Sequence, residues 1–358
     1  MQQLHKANKM MLGSEDGMRP SNAASCGLDR LWHKVVMEPK RIFMLGATGT
    51  IGRATLAALV KSGHHVVCFA RPGAKDDGRA NGLVEWRYGD VQDMDALRRD
   101  GFRGERFDVL ISCMSSRTGA SDDAWAIDYH AHLNALECAK LCGVTHMILL
   151  SAICVQKPRL AFQHAKLAFE AALISSGMDY SIVRPTAFFK SLSGQIARVQ
   201  KGKAFLLFGD GNLTACKPIS DADLADYLAD TIMHYDRRNR ILPVGGPGPA
   251  ITPRQQGALL FSLLQKEPKF SHVPLVLMNV IIACLSMAGQ VVPAAAAKAE
   301  LARIGRYYAT ESMLLWDPET NQYDADATPS FGTETLADHY RKILVGERKA
   351  DLGDHSVF

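Results

Sequence analysis

Three glycines at three-residue intervals, Gly46, Gly49 and Gly52, lie in the run Arg41–Val60, between an apolar strand-like segment and a helix-like one. Their chemistry belongs to the backbone. Gly46 permits a tight bend, Gly49 lets a pyrophosphate approach the main chain, and Gly52 lets the helix pack close to the strand. The helix start then offers unpaired N–H groups and a positive dipole end to phosphate, so Thr48, Thr50 and Ile51 join the glycines as expected contacts. A second strand at His65–Ala70 completes the strand–turn–helix–strand context of a dinucleotide site. This strand ends Cys68-Phe69-Ala70-Arg71, with a guanidinium where an NAD site usually carries Asp or Glu. Arg71, Lys75 four residues on, and Arg53 after Gly52 suit a 2′-phosphate, and NADPH is the expected cofactor.

The elements that must hold this turn follow in alternation. Strands are predicted at Val84–Tyr88, Phe107–Cys113, His146–Ser151 and Tyr180–Arg184. Helices are predicted at Asp93–Arg99, Asp122–Cys142 and Phe162–Ser176. The pattern predicts an α/β fold with a doubly wound parallel sheet of the NAD(P)-binding Rossmann kind. Such sheets bind ligands beyond the carboxyl ends of their strands, which directs attention to Arg71, Asp90, Ser115, Ser151, Pro185 and Thr186. Asp90 is expected at the adenine edge or as a turn residue. Beyond Phe188 the alternation loosens. Lys201–Leu213 reads as turn-rich, Asp221–His234 as a helix capped by Ser220, and Arg240–Val244 as a last strand. The predicted organisation is an N-terminal extension over 1–39 and a Rossmann domain over 40–245, with 188–215 contributing to the substrate site. A smaller C-terminal substrate-binding part over 246–345 and a tail over 346–358 complete it.

With 358 residues, 47% hydrophobic and 22% charged, the chain has an ordinary globular composition. A net charge of +4 without a basic stripe argues against nucleic acid as a partner. Eight cysteines without a CxxC pair fit reduced thiols in a cytoplasm-like compartment. The first 39 residues lack the apolar core of a secretory signal, and Glu15, Asp16 and Asp29 weigh against a transit peptide. Cytoplasmic localisation is therefore expected, with the chloroplast as the alternative. Leu275–Val292 carries no charge over 18 residues. Asn279, Ser286, Gly289 and Gln290 interrupt it, so a buried or surface-dipping helix is expected, with peripheral membrane contact open. His130, Asn134, Cys138 and Cys142 share a helical face but lack a further ligand pair, and no metal site is assigned.

The turn GATGTIG, with Asp90, Ser151 and Lys166 in this order, resembles the extended and atypical short-chain dehydrogenase/reductases. That resemblance implies that Ser151 follows the fifth strand and that Lys166 binds the nicotinamide ribose. It also implies a tyrosine four residues before the lysine as a proton donor to a carbonyl oxygen, and here that position is Phe162. The strings SAICVQKP (151–158), FQHAKLAFE (162–170), YSIVRPTAFFKSL (180–192), FGDG (208–211) and CKPISDADLADY (216–227) are more specific. Together they resemble the divinyl chlorophyllide a 8-vinyl-reductases from about Arg41 to Leu344.

That family implies NADPH-dependent reduction of a tetrapyrrole's 8-vinyl group to ethyl. Such a reaction suits the missing tyrosine, because a conjugated macrocycle takes up charge that a carbonyl would place on one oxygen. On this reading Ser151 and Lys166 are the catalytic candidates, with Lys166 steering the proton. Ser115 lines the nicotinamide pocket, and Pro185 and Thr186 offer backbone contacts to the carboxamide. Phe188 and Phe189 give a flat wall for the substrate, and His164 is a candidate toward the substrate's magnesium. The oligomeric state is left open. Two competing readings are a non-catalytic NADP(H)-sensing regulator of NmrA-like type, which Phe162 would suit, and a reductase of an unrelated conjugated alkene.

Overall fold

Strand β1 (Arg41–Leu45) sets the pattern of the whole sheet. Ile42 and Met44 point to one face, Phe43 and Leu45 to the other, and all four are buried. A strand buried on both sides must lie in the middle of a sheet covered by helices. The computed structural model, which describes residues 38–74 and 82–348, shows this arrangement.

Seven parallel strands run in the order β3-β2-β1-β4-β5-β6-β8. The others are β2 (His65–Ala70), β3 (Val84–Tyr88), β4 (Val109–Ser112), β5 (His146–Leu150), β6 (Asp179–Pro185) and β8 (Arg240–Val244). The strand order reverses beside β1, between β2 on one side and β4 on the other. That reversal opens a crevice at the carboxyl edge.

Helices α1 (Thr50–Lys61) and α7 (Asp221–Thr231) cover one face, where Leu56, Leu59, Leu224 and Leu228 pack on Ile42 and Met44. The other face meets α2 (Met94–Ala96), α3 (Ser121–Ala124), α4 (His132–Leu141) and α5 (Ala161–Ser175). Phe102, Leu136, Phe169 and Leu173 pack there on Phe43 and Leu45. The expected strands and helices of this Rossmann part are all present, with ends moved by a few residues. Helices α3 and α4 are continuous through a π-helical turn, Trp125–Ala131.

The later part departs from expectation in two places. Lys201–Leu213, expected as turns, holds α6's neighbour β7 (Phe205–Phe208), where α6 is Ile196–Gln200. β7 pairs with β9 (Phe270–Val273), a partner more than sixty residues away that no local pattern reveals. Helix α8 (Pro253–Leu263) packs against this pair with α11 (Leu336–Leu344).

The apolar segment forms α9 (Leu275–Gly289), paired with α10 (Pro293–Thr310), and none of α9's residues is buried. The alternative of a buried helix is thereby corrected. The polar interruptions Asn279 and Ser286 accept hydrogen bonds from Arg306 and Arg303 of α10, which leaves the apolar side outward. Among the described residues no helix is long and apolar enough to cross a membrane. The described residues from Pro39 onward belong to one compact unit. The expected extension up to residue 37, Lys75, and the tail beyond 348 lie outside the described residues.

Candidate active site

The glycine turn is built as its spacing requires. Gly46 has φ +78°, and a Cβ there would meet the Cys113 carbonyl carbon and the Met114 amide at 2.5 Å. A Cβ on Gly52 would stand 2.0 Å from the Gly46 carbonyl oxygen, so the helix closes on the strand only with glycine at both places. Gly49 is extended, donates its N–H to Gly46, and has only that carbonyl oxygen near a Cβ position. Its outer side is open to a ligand. Thr48 is exposed and Ile51 buried, and Arg53 donates to the Thr48 carbonyl, bracing the turn. This cradle fits a dinucleotide diphosphate, with backbone N–H groups turned outward at the N-terminus of α1.

Arg71 is exposed just beyond β2, on the same edge. Asp90 is also exposed, and its carboxylate accepts the Gln92 N–H at 2.9 Å. Asp90 therefore acts as a turn former with an oxygen still toward solvent.

At the other end of the crevice, α5 carries Phe162, Lys166 and Glu170 at i, i+4 and i+8, on one side of the helix. The Lys166 ammonium donates to Asp128 Oδ1 at 2.9 Å; both residues are buried, Lys166 at 9% and Asp128 at 1% exposure. The same oxygen accepts from Ser115 Oγ and from the Ser116 N–H, each at 3.2 Å. Burial works against the Asp128 carboxylate, but the Lys166 charge and these donors hold its carboxyl below the usual range. Its second oxygen, Oδ2, is buried and has no partner among the described residues. Asp128 stands within the π turn, a helical irregularity that recurs at functional sites.

One helical turn on, His132 Nδ1 lies 2.8 Å from the Ile127 carbonyl and Nε2 lies 2.8 Å from Ser112 Oγ. Burial and the nearby Lys166 push His132 down to about 4, so the ring is neutral at pH 7. A carbonyl only accepts, so Nδ1 carries the proton and Nε2 accepts from the serine. Ser112 in turn accepts the Met114 N–H at 3.3 Å. A hydrogen-bonded chain thus ties this helix to the strand end beside the glycine turn.

Ser151 is expected as a catalytic residue, but its hydroxyl is donated to the buried Glu170, which also pairs with Arg184. It braces α5 against β5 and β6. Thr186 spends its N–H on the Val244 carbonyl at 2.9 Å and its hydroxyl on Lys217, while Pro185 is buried at the end of β6. Pairing with β8 thus takes the Thr186 N–H, and an expected backbone contact to a carboxamide would have to use another group of this loop. Phe189 is 2% exposed and packs with His339 in the core under α8, so it is no part of a substrate wall. Phe188 remains partly exposed and His164 is exposed on α5.

Phe162 meets α10 rather than a polar group, with Ile304 and Tyr307 packed around it, Cys154 and Leu160. Among the described residues no group of three or more His, Cys, Asp or Glu could hold a metal. Asn134 instead donates to the Gln92 carbonyl at 2.9 Å, and Cys138 is buried.

Asp128, His132, Glu170 and Arg184 escape a reading of the sequence. The available signal is the pair Asp128 and His132, four apart on the sheet-facing side of a helix, opposite a lysine and a glutamate at the same spacing on α5.

These features define a class. The chain matches the NAD(P)H-binding family over residues 46–234, from the glycine turn to just past the end of α7. An NADPH-dependent quinone oxidoreductase of Escherichia coli, solved with NADPH, superposes with a TM-score of 0.62. At 20% identity it covers 85% of this chain and 99% of that one, which shows a shared fold. The divinyl chlorophyllide a 8-vinyl-reductase of Cucumis sativus is 47% identical over 88% of this chain and 79% of its own length. The Arabidopsis thaliana protein of that name is 44% identical over 87% and 79%. This chain belongs to the divinyl chlorophyllide a 8-vinyl-reductase family.

Proposed function

We propose that the protein is an NADPH-dependent reductase that converts the 8-vinyl group of divinyl chlorophyllide a, or a divinyl precursor, to ethyl. The similarity to the Cucumis sativus reductase, running nearly the length of the described chain, carries this reading. The glycine cradle and Arg71 would hold NADPH, Arg71 at the 2′-phosphate. NADPH, when bound, supplies the hydride.

The residues of the chain do the rest. Lys166 binds the nicotinamide ribose and guides a proton at Nζ, while Asp128 fixes that ammonium in place. Ser115 shares the Asp128 carboxylate, and Ser151 holds the helix through Glu170. Phe162, set against Ile304, keeps an apolar wall where a carbonyl reductase would need a phenol. Phe188 offers its partly exposed ring on the substrate side, and exclusion of water protects the charge that the macrocycle takes up. The test is incubation of the purified chain with NADPH and divinyl chlorophyllide, watching for a blue shift of the Soret band. An unshifted spectrum with NADPH bound would favour the sensor reading instead.

The outward face of α9 favours membrane contact. Val276, Val280 and Met287 are 68%, 53% and 65% exposed, an apolar surface suited to a lipid interface where pigment is handled. Co-flotation with liposomes, lost in a Val280→Glu/Ile281→Glu variant, tests it. The word "chloroplastic" in the relatives' names supports the chloroplast over the cytoplasm as the place of action.

A further inference from the structure

We propose that Lys190 is a side-chain ligand of the cofactor diphosphate, delivered to the glycine turn by the loop that leaves β6. The inference rests on the NADPH reading above and adds a residue that the glycine pattern does not contain.

Its basis is one long-range contact. Lys190 Nζ lies 2.6 Å from Thr50 Oγ1, across 140 residues of chain. Thr50 is the first residue of α1, whose first turn has no acidic side chain and whose N-cap Gly49 offers no side-chain acceptor. The first amide bonded within the helix is Arg53, to the Gly49 carbonyl at 2.9 Å. The amides of Thr50, Ile51 and Gly52 therefore have no acceptor inside the helix. An ammonium placed at a helix N-terminus adds positive charge where the dipole is already positive. A diphosphate held in the cradle would meet both the dipole end and this ammonium. The cradle beside it, with Gly49 open on its outer side, admits a diphosphate.

The lysine is presented by a fixed turn. Phe189 is buried, donates its N–H to the Ile219 carbonyl at 3.2 Å, and packs at a tilt against His339. Ser191 donates its N–H to Phe188 at 3.0 Å, and Ser193 Oγ bonds both the Phe189 carbonyl and His339. Strands β1 and β6 are separated by β4 and β5, about 14 Å at ordinary strand spacing. Loop and side chain together span that edge, so the lysine arrives in place and little ordering remains to be done on binding. The burial of Phe189 thus acquires a purpose: it anchors the turn that aims its neighbour.

Both NADPH and NADH carry the diphosphate, whereas only NADPH carries the 2′-phosphate, and this separates Lys190 from Arg71. NADPH and NADH titrations would be run on the full chain and on Lys190→Met, Lys190→Gln and Lys190→Arg, with thermal melts of each. The expected result is a loss of about tenfold or more for both cofactors in the Met and Gln variants, a charge-assisted bond removed. Lys190→Arg should recover most of it, with melting temperatures close to the wild type. Unchanged binding in Lys190→Met and Lys190→Gln would overturn the assignment. A loss confined to NADPH would also overturn it, by moving Lys190 to the 2′-phosphate. Failure of the unaltered chain to bind either cofactor would instead defeat the NADPH reading itself.

Discussion

The two ends of the crevice achieve order by different means. At the glycine end the geometry is made by missing side chains: the helix reaches the strand because Gly46 and Gly52 have no Cβ. At the Lys166 end it is made by side chains that satisfy one another, Lys166 with Asp128, His132 with Ser112, and Ser151 with Glu170. The first kind of site is local and written in a dozen residues. The second is assembled from β4, β5, α5, the π turn and α4, and each member depends on partners far away in the chain. A close-packed backbone turn tolerates no addition, whereas a polar network tolerates isosteric exchange and resists deletion.

That contrast can be broken from either side. The largest effect is expected for Gly52→Ala, whose Cβ would fall 2.0 Å from a backbone oxygen that cannot retreat. A loss of several kcal/mol in denaturant unfolding, with NADPH binding abolished, is expected; wild-type binding by this variant would show that the turn yields. Next comes Lys166→Ala, which removes the ammonium and strands a buried carboxylate. Turnover should fall about 100-fold, and stability by about 3–5 kcal/mol. Unchanged turnover in steady-state assays would remove Lys166 from the mechanism.

Asp128→Asn is the milder exchange, because an amide still accepts from Ser115 and Ser116. A drop of about tenfold in kcat with little change in NADPH affinity is expected. An effect on binding alone would instead place Asp128 with the cofactor.

The most gradual effect belongs to pH, and one histidine's share of it is small at each step. Burial pushes His132, His146 and His339 down to about 4, so the folded chain keeps them neutral where the unfolded chain protonates them near 6.5. The unfolded state then binds more protons, and stability falls as pH drops from about 6.5 toward 4. Each histidine contributes up to about 1.4 kcal/mol per pH unit. Urea melts across this range should flatten in His132→Asn, and an equally steep profile there would contradict the neutral assignment.

The same division explains what the sequence discloses. Gly46, Gly49 and Gly52 act through local backbone geometry, so their spacing announces the turn, and the alternation of apolar runs announces the sheet and its flanking helices. Lys166 is legible only through a family resemblance, and Asp128 is hidden because its partner lies 38 residues away. The surroundings of Ser151 and Phe189 stay hidden for a related reason. A serine after a strand and a phenylalanine after β6 look exposed in one dimension, and only the packing of α5 and α11 turns them inward. Strand β7 stays unseen because its pairing with β9 spans the whole of α7, β8 and α8.

The C-terminal stretch is stitched into the Rossmann part rather than appended to it. The Gly245 N–H bonds the Pro329 carbonyl, and the Phe331 N–H returns to Gly245, each at 2.8 Å. Asp223 of α7 accepts the amides of Thr333 and Glu334, and the backbone at Gly332 sits so close that a Cβ would be 2.1 Å from its carboxyl carbon. Transplanting residues 246–345 onto another nucleotide-binding core would therefore fail unless Asp223 and the end of β8 travelled with them. In that sense the transplantable unit of this fold is discontinuous in the gene, and a chimera must respect a seam that the order of the residues does not mark.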